Sequence, residues 1–319
     1  MTLLKVPNSS PAVYTVTMTV IIETKNISKI YRGATAVDDV SFSVQKGEVV
    51  GFVGLNGAGK STTINMLLGF QKPSVGEVLL FGHTVTLPNA HRSHHRIGFA
   101  TGDMSLFDGM SGKKYLAFIA RSYGQPLQTD TYKKLVQKFE PQLDKKLRNL
   151  SRGNKQKIAL IAAFMTNPDL IILDEPSSGL DPLMQQRFLE LVREASQNGT
   201  TIFMSSHYLN EVVDVCSRIL LIKKGKLVKD ISEAELEANA GKLVRVTTKQ
   251  KVKTPKAAEL IQKSKTKDSH TVQFVFKGKI VQLQEWLNSL SYLQDVSITD
   301  HSAEAAFEDL YKEGEPEDV

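Results

Sequence analysis

The stretch GLNGAGKST, residues 54–62, constrains the fold of this chain more than any other part of its sequence. It follows an apolar run typical of a strand, EVVGFVG at 48–54, and precedes a helical run that ends at Gly69, a residue suited to a helix C-terminus. The stretch matches the pattern G-x-x-x-x-G-K-[ST], in which backbone N–H groups and a helix N-terminus surround phosphate groups. The sequence therefore predicts an α/β domain built around a phosphate-binding loop.

The residues of this loop are expected to bind a nucleoside triphosphate together with Mg²⁺. Lys60 would place a positive charge at the β- and γ-phosphates, and the Ser61 hydroxyl would ligate the metal. Tyr31, in ISKIYRG, could stack on an adenine through its π-face, but an aromatic residue in a strand is as often simply packed, and both alternatives stay open. The predicted nucleotide contacts in the loop are Gly54, Leu55, Asn56, Gly57, Ala58, Gly59, Lys60, Ser61 and Thr62.

Two further apolar runs, DLIILDEP at 169–176 and TTIFMSSH at 200–207, each end in polar residues and are separated by helical patterns. Strands that alternate with helices indicate a largely parallel sheet, in which ligands bind at the carboxyl ends of the strands. Asp174, Glu175 and His207 are therefore predicted to converge on the phosphate-binding loop.

Each of these polar residues has a predicted role beside the phosphates. Asp174 would hold Mg²⁺ through water, and Glu175 would orient and deprotonate an attacking water. An acid pair after a strand is by itself a common solvated strand end, but together with a phosphate loop it indicates hydrolysis. A lone histidine at a strand end is usually structural, whereas the position of His207 on the same sheet edge puts it near the γ-phosphate.

The sequence LSRGNKQK at 150–157 opens an otherwise apolar helix with serine, arginine, glycine and asparagine. The Ser151 hydroxyl can be offered to an anion, Gly153 permits the close approach of a backbone, and a helix N-terminus carries the positive end of a dipole. Because the chain already contains one phosphate loop, these residues are predicted to form a second half-site.

The sequence divides into three regions. Residues 1–17 carry weak structural signals and are predicted to be a weakly ordered extension. Residues 18–235 are predicted to form a nucleotide-binding domain, in which a helix-patterned stretch at about 105–165 is a helical subdomain. Residues 236–319 are predicted to form a small accessory α/β domain with short alternating strands.

Two helices are predicted in this C-terminal region. Thr254 and Pro255 would give one of them a cap and a preformed first turn. The last helix has an apolar stripe formed by Ala303, Phe307, Leu310 and Tyr311.

The composition excludes globally disordered, membrane-spanning and disulfide-stapled proteins. Hydrophobic residues make up 41% and charged residues 23% of the chain, as in an ordinary globular protein. No apolar stretch reaches the roughly 18 residues that a membrane-spanning helix needs, and the single cysteine, Cys216, excludes an intramolecular disulfide and suits a reducing cytosol. The net charge of +6 suits a nucleotide, a nucleic acid or an anionic membrane face without choosing among them.

Taken together, five motifs resemble those of the ATP-binding cassette (ABC) ATPases in order and spacing, over about residues 20–235. They are GLNGAGKST, LSRGNKQK, IILDEP, SSGLD at 177–181 and SSH at 205–207. LSRGN stands where that family has its signature sequence Leu-Ser-Gly-Gly-Gln, which other P-loop enzymes lack. The resemblance implies a P-loop NTPase core with a helical subdomain.

The resemblance also implies a role for each motif. In this family two cassettes meet head to tail, so that the signature of one closes on the ATP held by the phosphate loop of the other. Asp181 would couple the two sites across the interface, and Glu175 would be the catalytic base. His207 would sense the γ-phosphate, and Tyr31 would stack on the adenine. The signature residues that would face the other cassette's ATP are Ser151, Arg152, Gly153 and Asn154.

Two departures from the family pattern matter. Arg152 and Asn154 replace a glycine and the final glutamine of the signature, a variant similar to the subgroup that powers ABC-2 type exporters through separate membrane subunits. The C-terminal region also resembles that subgroup's extension. Gly102 stands where the glutamine loop has its glutamine, and Asp103 is the nearest acceptor. In the family this glutamine contacts Mg²⁺ and relays to the membrane subunit, so that contact is expected to be shifted, weakened or supplied differently.

The resemblance therefore implies the ATPase subunit of an ABC exporter, binding ATP and Mg²⁺ at the cytoplasmic face of the cell membrane. Its expected partners are a separate integral membrane permease and a second cassette, identical or not, with no nucleic acid. Two alternatives stay open: a soluble ABC-family factor acting on ribosomes or nucleic acid, which the basic charge favours, and a regulatory cassette whose hydrolysis is impaired by Gly102.

Overall fold

The computed structural model describes residues 19–101, 107–266 and 269–301 of the chain. Several features predicted from the sequence lie outside the described residues. These are the extension 1–17, Gly102, Asp103 and the last predicted helix.

The N-terminal part of the described chain contributes an antiparallel sheet. Its strands are β1 (Val20–Tyr31), β2 (Ala34–Gln45), β4 (Val75–Leu80) and β5 (His83–Thr84). They lie in the order β2-β1-β4-β5. Buried residues alternate with more exposed ones along much of β1 and β2, because the sheet buries one face and leaves the other towards solvent.

A second sheet carries the predicted parallel core. Its strands are β3 (Val49–Val53), β6 (Ile97–Thr101), β7 (Leu170–Asp174), β8 (Thr201–Ser206), β9 (Arg218–Lys223) and β10 (Lys226–Ser232). In the order β10-β9-β3-β8-β7-β6, the neighbouring strands pair in parallel except for β10 with β9. Every residue of β3 is buried, since core clusters cover both faces of the sheet. The parallel α/β core predicted from the three apolar runs is confirmed.

Helices surround this central sheet. They are α1 (Lys60–Leu67), α2 (His91–His94), α5 (Arg152–Phe164), α6 (Pro182–Gln197), α7 (Leu209–Val213) and α8 (Glu233–Ala240). None of the helices formed by the described residues combines the length and apolar character needed to cross a bilayer.

Two further helices, α3 (Gly112–Ser122) and α4 (Asp130–Phe139), lie in the stretch predicted to be a helical subdomain. Ser111 and Thr129 precede them, and each hydroxyl accepts a backbone N–H of the first turn, which stabilises the helix start. Both helices bury apolar side chains in the same core cluster as α5, so the segment is anchored to the helix that LSRGN opens.

Three phenylalanines join the antiparallel sheet to the central sheet. Phe42 of β2 stacks on Phe203 of β8 with ring centroids 5.6 Å apart, and Phe52 of β3 lies 5.4 Å from Phe203. Complete burial of such a side chain stabilises a fold by about 1.5–3 kcal/mol. Because this core fixes β3 beside β8, the loops that leave their carboxyl ends start from neighbouring positions.

A third sheet is formed by the residues from Lys242 to Asp300. It comprises β11 (Lys242–Thr248), β12 (Ala258–Lys265), β13 (His270–Phe276) and β14 (Leu293–Asp300), with the helix α9 (Ile280–Asn288). The strands are antiparallel in the order β12-β13-β11-β14. Leu283 of α9 packs with Val246 and Phe274 in a core cluster of its own. The domain boundary after residue 235 stays a prediction.

The prediction of a helix that starts at Thr254 and Pro255 is wrong. These residues precede a turn, and the chain from Ala258 to Lys265 is instead the strand β12. Its sequence AELIQKSK contains good helix formers, but pairing with β13 satisfies its backbone and outweighs this local preference.

Candidate active site

The phosphate loop runs from the end of β3 to the start of α1. Gly57 and Gly59 have positive φ values of 82° and 109°, a conformation that glycine adopts without steric cost. A Cβ atom on Gly59 would lie 2.6 Å from the carbonyl oxygen of Ala36, so no larger residue fits this path. Leu55 and the two residues after it are exposed, and the loop therefore lies open to solvent at the edge of the central sheet.

Lys60, the first residue of α1, has only 5% of its side chain exposed. Its ammonium group donates to the carbonyl oxygens of Gly54 at 2.6 Å and Leu55 at 3.3 Å. Nζ also lies 3.0 Å from Oε1 of Glu175, in an ion pair whose angles do not make a hydrogen bond. The positive charge of the loop is thus held beside the acid that follows β7.

Glu175 occupies an uncommon backbone conformation directly after β7. Its φ of 51° lies in the left-handed region, which costs energy for a residue with a side chain. Its N–H donates to Oγ of Ser205 at 3.0 Å, and that hydroxyl donates to Oδ1 of Asp174 at 2.6 Å. The second carboxylate oxygen, Oε2, contacts Nδ1 of His207. The structure therefore brings Lys60, Glu175 and His207 together around one carboxylate.

This arrangement suits the activation of water beside a magnesium ion. A carboxylate held between an ammonium group and an imidazole has the fixed orientation that a general base needs. Ser61 is exposed on the first turn of α1, and Asp174 is partly exposed at the end of β7. Hydroxyl and carboxylate oxygens are the hard ligands that Mg²⁺ prefers, so these two residues fit the predicted metal site.

Ser151 caps α5, the helix that LSRGN opens. Its Oγ accepts the backbone N–H of Asn154 at 3.3 Å and the Asn154 side-chain amide at 3.2 Å. The amide oxygen of Asn154 in turn accepts the backbone N–H of Gln142 at 3.2 Å. Ser151 is exposed, so the helix start that it caps lies at the protein surface.

The same helix start packs against the loop after β7. The guanidinium of Arg152 donates to Oγ of Ser178. A Cβ atom on Gly153 would lie 2.6 Å from the carbonyl oxygen of Gly179, so the two backbones approach as closely as glycine allows. The signature residues and the loop that follows Glu175 are therefore in direct contact within one chain.

Asp181 ends that loop and caps α6. Its Oδ1 accepts the N–H of Met184 at 3.0 Å, and Pro182 occupies the first helical position, where it needs no donor. The loop from Pro176 to Asp181 is thereby fixed at its far end by the start of a long helix.

Tyr31 lies at the end of β1 with 41% of its surface exposed. Its hydroxyl bonds to the side-chain oxygen of Gln71, and the ammonium of Lys29 lies 5.3 Å from its ring centroid. The ring is therefore at the surface, and its stacking on an adenine stays a prediction.

Sequence reasoning missed several buried polar residues around the site. Ser205 lies within the SSH motif, but the sequence pattern indicates no role for it. Gln156, with 1% of its surface exposed, donates to the carbonyl oxygen of Pro176 at 2.7 Å. Glu211 gave no signal in the sequence, because its partner Ser177 lies 34 positions away along the chain.

Comparison with known proteins identifies the family that this chain resembles. A family model described as "ABC transporter" matches residues 37–178. The uncharacterized ABC transporter ATP-binding protein YhcH of Bacillus subtilis (strain 168) is 35% identical over 233 residues, which cover 70% of this chain and 74% of the relative. The SkfA peptide export ATP-binding protein SkfE of the same organism is 32% identical over 225 residues, which cover 69% of this chain and 92% of the relative.

Solved structures agree with the fold. A structure described as the ATP binding subunit of an ABC transporter aligns with a TM-score of 0.61 at 29% sequence identity, covering 68% of this chain and 92% of that chain. The predicted class, a P-loop α/β core, is confirmed.

Proposed function

Because this chain belongs to the ABC transporter family as a subunit that binds and hydrolyses ATP, we propose that it dimerises around two Mg-ATP and drives a separate export permease. The observation that carries this proposal is the Glu175 carboxylate held between Lys60 and His207 beside the phosphate loop. The loop would bind the triphosphate, and the carboxylate would act on the water that attacks it.

The hydrolytic step follows from the contacts of these residues. Phosphate oxygens carry more negative charge than the carbonyl oxygens of Gly54 and Leu55, so the Lys60 ammonium turns to the β- and γ-phosphates when ATP binds. Glu175 then loses its ion pair with Lys60 and is free to accept a proton from the attacking water. His207, in contact with Oε2, keeps the carboxylate oriented and senses the γ-phosphate.

Ser61 and Asp174 would hold Mg²⁺, whose charge neutralises the negative charge that develops on the phosphate oxygens.

The second half-site supports a head-to-tail dimer. Ser151 caps an exposed helix start, whose dipole and free N–H groups attract an anion. One phosphate loop and one such helix start per chain complete two sites when two cassettes face each other in opposite directions. Asp181, at the end of the loop that touches the signature, would couple them.

The test of dimerisation is the mass in solution of a Glu175→Gln protein with and without Mg-ATP. Loss of a general base slows the chemical step by about 10²- to 10⁴-fold, so the nucleotide persists and the closed state accumulates. We expect a shift from monomer to dimer on addition of Mg-ATP. Hydrolysis by Glu175→Gln at the wild-type rate would show that another group is the base.

A second substitution in the same protein provides the control. Aspartate caps a helix as well as serine does, so Ser151→Asp preserves the fold of α5 but places a negative charge against the opposing triphosphate. The Glu175→Gln, Ser151→Asp protein should bind ATP and remain monomeric. If Glu175→Gln itself binds ATP and stays monomeric, two copies of this chain do not complete each other, and a different cassette must supply the second half-site.

The export role is supported by the relative whose name includes peptide export and of which this chain covers 92%. We place the subunit on the cytoplasmic face of a membrane, bound to a permease that is a separate chain, with Gly102 and Asp103 at the position expected to relay between them. Fractionation of cells that produce a tagged protein tests this. Recovery with membranes and a co-purifying membrane protein is expected, whereas recovery with ribosomes or nucleic acid would favour the soluble-factor alternative.

A further inference from the structure

A buried carboxylate that the hydrolytic step does not use lies behind the active site. Glu211, on the short helix α7, has 8% of its surface exposed. Its Oε2 accepts the hydroxyl of Ser177 at 2.6 Å and lies 3.3 Å from the hydroxyl of Ser206. Both serines are almost completely buried, so water cannot replace the carboxylate as their acceptor.

The two serines belong to the two segments that carry the catalytic pair. Ser177 is two residues after Glu175, and Ser206 immediately precedes His207. The single Ser206 hydroxyl proton faces two acceptors, Oε2 of Glu211 at 3.3 Å and the carbonyl oxygen of Tyr208 at 3.0 Å. The same hydroxyl oxygen accepts the N–H of Tyr208 at 2.9 Å, which closes the turn around His207. One carboxylate therefore connects the loop after β7 to the turn after β8.

On its other side the same loop is tied to α5. Gln156 donates to the carbonyl oxygen of Pro176, and Arg152 donates to Ser178. Ser177 thus lies between two residues fixed by the signature helix, and its own side chain points to Glu211. The polar contacts run without a break from α5 through the loop to the turn that carries His207.

A stabilising role does not account for a carboxylate at this position. A buried charge is costly unless it is well paired, and the described groups that face Glu211 are two neutral hydroxyls, the Glu175 carboxylate and the His207 imidazole. What the carboxylate provides is an acceptor that two hydroxyls on separate segments can share, and this fixes the distance between those segments.

We propose that Glu211 is a positioning residue for ATP hydrolysis, which holds the Ser177 loop and the Ser206 turn together so that Glu175 stays in contact with His207. The inference rests on the roles proposed above for Glu175 and His207. It predicts that the rate of hydrolysis depends on an oxygen at position 211 that accepts the serine hydroxyls. The negative charge of Glu211 is not required.

The first test compares Glu211→Ala with Glu211→Gln in steady-state ATP hydrolysis. Loss of the acceptor misplaces the base, and a misplacement of about 1 Å can cost up to 10²-fold in rate. Glu211→Ala should therefore lower kcat by about 10- to 100-fold with little change in KM for ATP, since the phosphate loop is not altered. Glutamine retains a carbonyl oxygen of the same reach, so Glu211→Gln should restore kcat to within about threefold of wild type.

Asp214 provides the matched control, since it is an exposed carboxylate close to Glu211 in sequence. Asp214→Asn removes the same charge as Glu211→Gln and should leave both kcat and KM unchanged. A wild-type kcat for folded Glu211→Ala overturns the proposal. So does a Glu211→Gln protein as slow as Glu211→Ala, because charge would then be the requirement.

If Glu211→Ala does not fold, variants of the two serines test the same proposal. Ser177→Ala and Ser206→Ala should each lower kcat, and their double variant should lose less than the product of the single effects, because they share one acceptor. Fully independent effects, or none, would contradict the proposal. Failure of the proposed catalytic assignment is recognised separately, since it appears as wild-type hydrolysis by Glu175→Gln whatever the Glu211 variants do.

Discussion

At the scale of single residues, the buried Glu211 links the stability of the protein to pH. Burial raises the pKa of Glu211 above its ordinary value of 4.5, and the charge of Glu175 raises it further. The hydrogen bonds from Ser177 and Ser206 and the nearby His207 act in the opposite direction. Because the folded state binds this proton more tightly, the stabilisation is complete below the ordinary pKa and is lost as the pH rises through the raised pKa.

The Glu211→Gln variant should therefore be more stable than wild type at neutral pH. Glutamine does not ionise, so the gain in melting temperature should be largest at about pH 7 to 8 and should vanish as the pH falls towards about 4. Scanning calorimetry across this range measures it, with Asp214→Asn as the variant in which burial plays no part. A difference in melting temperature that is constant with pH would show that the carboxylate is not the source.

The residues that the sequence predicted and those that it missed differ in how far their partners lie along the chain. Lys60, Glu175 and His207 can be predicted because each follows a recognisable strand, and the carboxyl ends of parallel strands lie at one edge of the sheet. Glu211 has no such marker. Its significance depends on burial between two loops, which only the folded chain creates.

At the scale of elements, the contact between α5 and the loop after β7 leaves no room for a side chain at Gly153. In an isolated helix, replacing glycine by alanine stabilises by about 1 kcal/mol. Here the new Cβ would lie 2.6 Å from the carbonyl oxygen of Gly179, so the backbone of α5 or of the loop after β7 must move. We expect Gly153→Ala to destabilise the protein by about 1–3 kcal/mol in urea unfolding.

Gly109 is the comparison, because no atom of the described residues lies within 4 Å of a Cβ placed there and its φ is not positive. Gly109→Ala should change the free energy of unfolding by less than about 0.5 kcal/mol. A Gly153→Ala protein as stable as wild type would mean that the signature helix and the loop are not packed as tightly as the backbone distances indicate.

The strength of the local pattern decided which elements could be predicted. β3, β7 and β8 were recognised because continuous apolar runs have few alternatives to a buried parallel strand. For β12 the sequence predicts a helix, because Thr254 and Pro255 resemble a helix start and the following residues favour helices. Pairing with β13 imposes its strand conformation. Because β12 lies at the edge of the sheet and is almost wholly exposed, its sequence lacks the alternation of apolar and polar residues that indicates a strand.

At the scale of the whole molecule, the third sheet has a core cluster of its own, distinct from the two clusters that flank the central sheet. The boundary after residue 235 is predicted from the short alternating strands that follow it, and it falls within α8. Leu236 of that helix is buried and belongs to the core cluster of α5 and the central sheet. We therefore expect α8 to fold with the nucleotide-binding part, while the boundary itself stays a prediction.

Two truncated proteins test this division. A chain that ends at Gly241 keeps Leu236 and should bind ATP with the affinity of the full chain, because the phosphate loop and its core are intact. A chain that ends at Glu235 loses a buried leucine and should be less stable by about 2–5 kcal/mol, the cost of emptying such a site. Urea unfolding and nucleotide titration of both proteins measure the difference. Equal stability of the two would assign α8 to the third sheet, whereas loss of ATP binding at Gly241 would show that the third sheet and the cassette fold as one unit.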